Sequence, residues 1–121
     1  MALTKALTVV HANISLAAGA ADTTSGDQDL TAVYRTVARI RFTNGATGPT
    51  VQAQTKVQVA EDTTAANYMT LATVYGGTTA NAVTEHVVEI PDAIEHARFV
   101  SGSNTAQAVT LRVVIEKITG I

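Results

Sequence analysis

The side chains able to do chemistry in this chain are few and far apart. The histidines are His11, His86 and His96, and no two stand at a short metal-ligand spacing. Glu85-His86 and Glu95-His96 repeat a dipeptide, but neighbours on a strand point to opposite faces. A histidine acting as base, switch or ligand needs a placed partner, and the sequence supplies none nearby. Surface or interface histidines are expected, with a metal site assembled across strands as the alternative. Glu85 and Glu89 share a strand face at about 13 Å, given a rise of ~3.3 Å per residue. That is too far for a retaining glycosidase pair, which also lacks a stacking aromatic here. Pairing with Arg or Lys across the strand is expected instead. Asp22, Asp27 and Asp29 miss the spacing of a calcium loop. Ser15, Ser25, Ser101 and Ser103 lack the G-x-S-x-G context, and Gly76-Gly77 lacks the Lys of a phosphate loop. With no cysteine there are no disulfides, zinc thiolates or thiol nucleophiles. The expectation is no enzyme, no catalytic residue, no metal and no cofactor.

Arg35, Arg39 and Arg41 are the most informative charges, because they fall on one face of one strand. A stripe for nucleic acid would come with stacking aromatics and a positive total, whereas this chain carries −2. Neither nucleic acid nor a membrane surface is an expected partner. Two readings of the stripe remain. It is a solvated face with acid partners such as Glu85, Glu89 or Glu116, or it is a docking surface for an acidic protein, since Arg is enriched at interfaces. The first is preferred, because most surface pairs contribute little.

Those residues must be held by strands. Thr and Ala together fill about a third of the 121 residues, and charged residues only 15%. A freely diffusing monomer usually carries more charge, so the composition suits a protein packed among neighbours. Leu3, Lys5, Leu7 and Val9 alternate with Thr4, Ala6, Thr8 and Val10 as a first strand. That alternation makes a poor signal peptide, and no apolar run reaches the ~20 residues of a membrane helix. Residues 13–21 are ambiguous between a short strand and a helical turn, and 22–29 read as a polar loop. A strand is expected over 30–43, with Tyr34, Thr36, Ala38, Ile40 and Phe42 on one face and Val33, Arg35, Val37, Arg39 and Arg41 on the other. Further strands are expected over 51–60, 68–75, 83–90, 96–101 and 108–118. Val113, Val114 and Ile115 are apolar on both faces, as in a central strand. The few aromatics, Tyr34, Phe42, Tyr68, Tyr75 and Phe99, are expected in the core or at a subunit contact.

Seven to eight strands at even spacing imply an all-β fold, an antiparallel β-sandwich of jelly-roll-like type. Residues 1–29 would form an N-terminal arm or extra strand and loop. Residues 30–121 would form the sandwich, one domain overall.

Residues 57–77 (VQVAEDTTAANYMTLATVYGG), 87–100 (VVEIPDAIEHARFV) and 106–118 (AQAVTLRVVIEKI) carry a resemblance. Their order of strand, acidic loop, strand, Ile-Pro stop and closing Val-rich strand resembles small β-sandwich proteins of tailed-phage virions, of the head-decoration or minor structural kind. It is more loosely similar to discoidin-like modules that bind sugars or surfaces, although the loops here lack exposed aromatics. The resemblance covers 51–118 and implies a virion protein, made in the host cytoplasm, bound to the major capsid protein or another virion protein. It implies a homo-oligomer, with a trimer favoured. A tail-associated protein and a carbohydrate- or surface-binding module are the alternatives. Candidate interface residues are Arg35, Arg39 and Arg41, with Leu3, Lys5 and Leu7 on the N-terminal strand. The segment 1–29 is a candidate arm onto the shell.

Overall fold

The computed structural model describes residues 3–120. Its strands are β1 (Thr4–Leu16), β2 (Thr23–Thr24), β3 (Gln28–Asp29), β4 (Arg35–Asn44), β5 (Gln54–Ala60), β6 (Met69–Tyr75), β7 (Val83–Ile90), β8 (His96–Gly102) and β9 (Val109–Gly120). A single 3-10 turn spans Ala65–Asn67. One sheet has the order β1-β9-β4-β7, and the other has β2-β8-β5-β6 with β3 also on β8. All pairings are antiparallel.

If β2 and β3 count as one interrupted strand, the pairing is nested. The first strand meets the last, the second the seventh, the third the sixth and the fourth the fifth. That is the jelly-roll arrangement expected from the strand spacing.

Alternation explains why these segments form strands and which face each buries. On β4, Thr36, Ala38, Ile40 and Phe42 are buried, and Arg35 and Arg39 are exposed. On β8, Ala97, Phe99 and Ser101 are buried, while His96, Arg98 and Val100 lie on the outer side. The inner faces meet in one core with Phe42, Phe99, Ile40, Ile90, Leu111 and Ile115 at its centre. Val113, Val114 and Ile115 are all buried on β9, which runs between β1 and β4. Of the five aromatics only the two phenylalanines are fully buried; Tyr34 and Tyr75 are exposed.

Two buried asparagines fasten the loops. Asn104 Nδ2 donates to the carbonyls of Leu16 and Gln107 at 2.9 and 2.8 Å. Asn44 Nδ2 donates to the carbonyls of Gly77 and Thr79 at 3.0 and 2.9 Å. Three of these four carbonyls, those of Gln107, Gly77 and Thr79, lie outside the strands, where a side-chain donor satisfies them. Asn104→Ala is expected to cost about 2 kcal/mol, because it strands two carbonyls in the interior. Urea denaturation would measure it as a lower midpoint at unchanged slope.

Of the arm or extra strand expected at the N-terminus, the described residues form the extra strand, since β1 pairs with β9 from Thr4 to Leu16. Its Thr/Ala/Val alternation is completed by the equally apolar β9. The ambiguous stretch after Asn13 continues that strand beyond register shifts between Val9 and Ile14, with Asn13 at φ 54°. Asparagine tolerates this left-handed conformation, which masks the period of two. The strand expected from residue 30 starts at Arg35, because 30–34 turn: Leu30 donates to the Glu95 carbonyl and Val33 to that of Leu30.

Candidate functional site

The structure brings the two candidate sets, Arg35/Arg39/Arg41 and Leu3/Lys5/Leu7, to the same side of the molecule. Strand β1 lies beside β9 and β9 beside β4, so their outward residues share the outer face of the four-stranded sheet. One cross-strand row reads Leu7, Glu116, Val37, Glu89, and the next Val9, Val114, Arg39, Val87. Leu3 immediately precedes β1 and is exposed. Leu7 is 60% exposed and Val87 65%, and Val9 and Val83 are also open.

The stripe is an ion-pair lattice and not a bare row of cations. Arg35 donates through Nη2 at 2.6 Å and Nε at 3.1 Å to Glu89 Oε1. Arg39 meets Glu116 at 3.0 Å, and Arg41 meets Glu85 at 3.8 Å. These are the acids expected from the sequence. Being exposed, each pair is worth about 0–1 kcal/mol. Arg41 also stands directly opposite Arg112, a like-charge pairing that disfavours the isolated face and leaves room for an acceptor. The face carries five cations (Lys5, Arg35, Arg39, Arg41, Arg112) against three carboxylates (Glu85, Glu89, Glu116), in a chain whose net charge is −2. The opposite charge excess therefore lies on the rest of the molecule.

The outer face of the five-stranded sheet holds a polar cluster that the sequence hid. Asp27, on the loop between β2 and β3, accepts from Tyr68 Oη at 2.5 Å and from His96 Nδ1 at 2.9 Å. Arg98 lies over the Tyr68 ring at 4.1 Å and donates from Nε to Gln58 Oε1 at 2.8 Å. Desolvation, then the Asp27 carboxylate, push Tyr68 up to about 12. The hydrogen bond to Asp27 raises His96 above its ordinary value. His11, at the β1 irregularity, is shifted the other way by burial, and its Nε2 is buried without a partner. His86 donates from Nε2 to the Tyr75 carbonyl at 2.7 Å. Among the described residues no group of three or more His, Asp or Glu could hold a metal ion. The Asp27 cluster thus reads as a clip that pins the 22–29 loop onto β8.

The clip has a pH signature. A histidine whose folded pKa is raised adds stability that is complete below its unfolded value of about 6.5 and disappears as pH rises through the folded value. Burial of His11 works oppositely, removing stability as pH falls below about 6.5. The wild-type-minus-His96→Asn difference in melting temperature is therefore expected to be largest near pH 5.5 and to shrink towards pH 8.5. A flat difference across that range would contradict the clip.

No helix of the described residues is long and apolar enough to cross a membrane. No protein-family model matches the sequence, and no curated protein matches it. Solved structures do match. A chain in the structure of infectious bursal disease virus Gx strain aligns with a TM-score of 0.57 at 12% identity, over 98% of this chain and 33% of that one. The PBSX exported protein XepA aligns at 0.56 and 17% identity, over 96% and 38%. The SPBc2 prophage-derived protein YomS aligns at 0.51 and 11% identity, over 96% of both chains. This chain thus spans about a third of the matched virus chain and nearly all of YomS. At such identities the likeness establishes the fold: a β-sandwich shared with the virus chain, with the exported protein XepA and with the prophage-derived YomS.

Proposed function

We propose that this protein is a non-enzymatic structural component of a phage virion that decorates the head surface. It docks on the major capsid protein or another virion protein through the outer face of the four-stranded sheet. The observation that carries this reading is the exposure of Val9, Val83 and Val87 on that one face, among Arg–Glu pairs. Apolar residues rimmed by polar ones mark contact surfaces, and Arg suits the rim. The shared fold with the prophage-derived protein YomS supports the same reading. Binding to assembled shells and not to free subunits would stabilise the shell by mass action, multiplied over many copies. The protein acts there as a homo-oligomer, with a trimer favoured, and resides in the virion. A tail-associated role is the alternative and differs in the particle bound. A carbohydrate- or surface-binding role is the remaining alternative.

The test is co-sedimentation with empty heads of the phage whose genome encodes the chain. Val87→Asp places a charge on the β7 edge of the docking face without touching the core. It is expected to lose at least about tenfold in head affinity, the loss of about 1.4 kcal/mol or more. Undiminished binding of a folded Val87→Asp protein would rule out this face.

A further inference from the structure

Two grooves of opposite charge open at one end of the sandwich. The end is defined by the start of β1, the start of β4 and the finish of β9, since Thr4 lies opposite Gly120 and Arg35 opposite Ile118. β7 finishes there too, with Ile90 opposite Thr36. The turn after Ile90 leads straight to the start of β8, where His96 lies opposite Ala60 at the finish of β5. The first groove, of about 460 Å³, has Leu7, Val37 and Ile118 as its apolar lining; its cations are Lys5, Arg35, which Glu89 holds, and Lys117, which reaches it from the other side of β9. Glu116, the carboxylate on its wall, is held by Arg39. The second, of about 540 Å³, is lined by Ala60, Glu61, Ala93, Ile94 and Glu95. Among the described residues no carboxylate pairs with Lys5 or Lys117, and no cation with Glu61 or Glu95.

We propose that copies of this chain associate head-to-tail, the Lys5/Arg35/Lys117 groove of one copy against the Glu61/Glu95 groove of the next, and close into a small ring. The inference rests on the homo-oligomeric part of the reading above and names its interface. A second copy is the occupant because the chain itself carries the complementary charge and a matching apolar lining. A two-fold contact through either groove would set like charges face to face, which costs affinity. A contact between two different patches is heterologous, so it builds a ring or a filament. Patches at opposite ends would extend a filament, whereas patches at one end turn successive copies back on themselves.

Sedimentation velocity of the full chain, without heads, tests this. The wild type is expected to form one oligomer of fixed size. Its association should weaken by about tenfold or more between roughly 0.05 and 0.5 M NaCl, where charges at these distances become screened. Lys5→Glu/Lys117→Glu and Glu61→Lys/Glu95→Lys should each be monomeric at unchanged melting temperature. Their equimolar mixture should associate, because the first keeps the acidic groove and the second the basic one. A monomeric wild type, salt-insensitive association, open-ended growth, or a mixture that stays monomeric would each overturn the ring. A monomeric wild type that still sediments with heads would sink the ring alone. A ring that ignores heads would sink the decoration reading alone.

Discussion

Phe99→Ala is expected to remove about 3–5 kcal/mol of folding stability, out of roughly 5–15 for a domain of this kind. Phe99 sits on β8 with no exposure, in the same core as Phe42 from the opposite sheet. The chain has only two phenylalanines and no tryptophan, so most of its core volume comes from Val, Ile, Leu and Ala. β-branched side chains have few rotamers with which to collapse into the space left behind. The ring also lies beside the buried pair formed by Thr55 Oγ1 and Ser101 Oγ at 2.8 Å, two positions along the same face of β8. Water entering the vacated space would compete for that pair. Urea denaturation is the measurement, and a loss under about 1.5 kcal/mol would show a core that repacks freely.

Gly48→Ala is the second large effect, of about 3 kcal/mol, from overpacking against groups that cannot rotate away. A β-carbon on Gly48 would lie 1.8 Å from the Thr78 carbonyl oxygen and 2.7 Å from its carbon. Both atoms are backbone, in the loop that Asn44 holds through Gly77 and Thr79. Relief therefore requires moving the loop and stretching those hydrogen bonds. Gly45, three residues earlier, has nothing within 4 Å of its added β-carbon. Gly45→Ala should accordingly stay within about 0.5 kcal/mol of wild type. At about 4 °C per kcal/mol, thermal melts would separate the two variants by roughly 10 °C. Equal melting temperatures would contradict the close approach of these loops.

What could be read from the sequence followed from period and punctuation. Val83–Ile90 has sharp boundaries because Pro91 cannot donate to a ladder, and its alternation survives intact. The outward placement of Arg35, Arg39 and Arg41 and their pairing with Glu85, Glu89 and Glu116 also follow from alternation plus opposite charge. The hidden parts are those where the period breaks or where partners are remote. The register shifts between Val9 and Ile14 obscured the second half of β1, and hence that the N-terminal segment joins the sheet. Joining Leu3, Lys5 and Leu7 to the arginine stripe required knowing that the first strand meets the last. Asp27 and His96 stand 69 residues apart, and Tyr68 lies 41 from Asp27. Only the pairing of the 22–29 loop with β8 brings them together. Nested topology makes almost every decisive contact non-local, which also implies slow folding for a domain of this size.

Binding of this sandwich to an assembled virion surface is measured by a saturation titration of wild-type protein onto empty heads, followed by sedimentation. The expected result is binding that saturates at a fixed number of copies per head and does not occur with unassembled capsid protein. Failure to sediment with heads at any concentration, with the protein folded and its partner surfaces intact, would contradict the account.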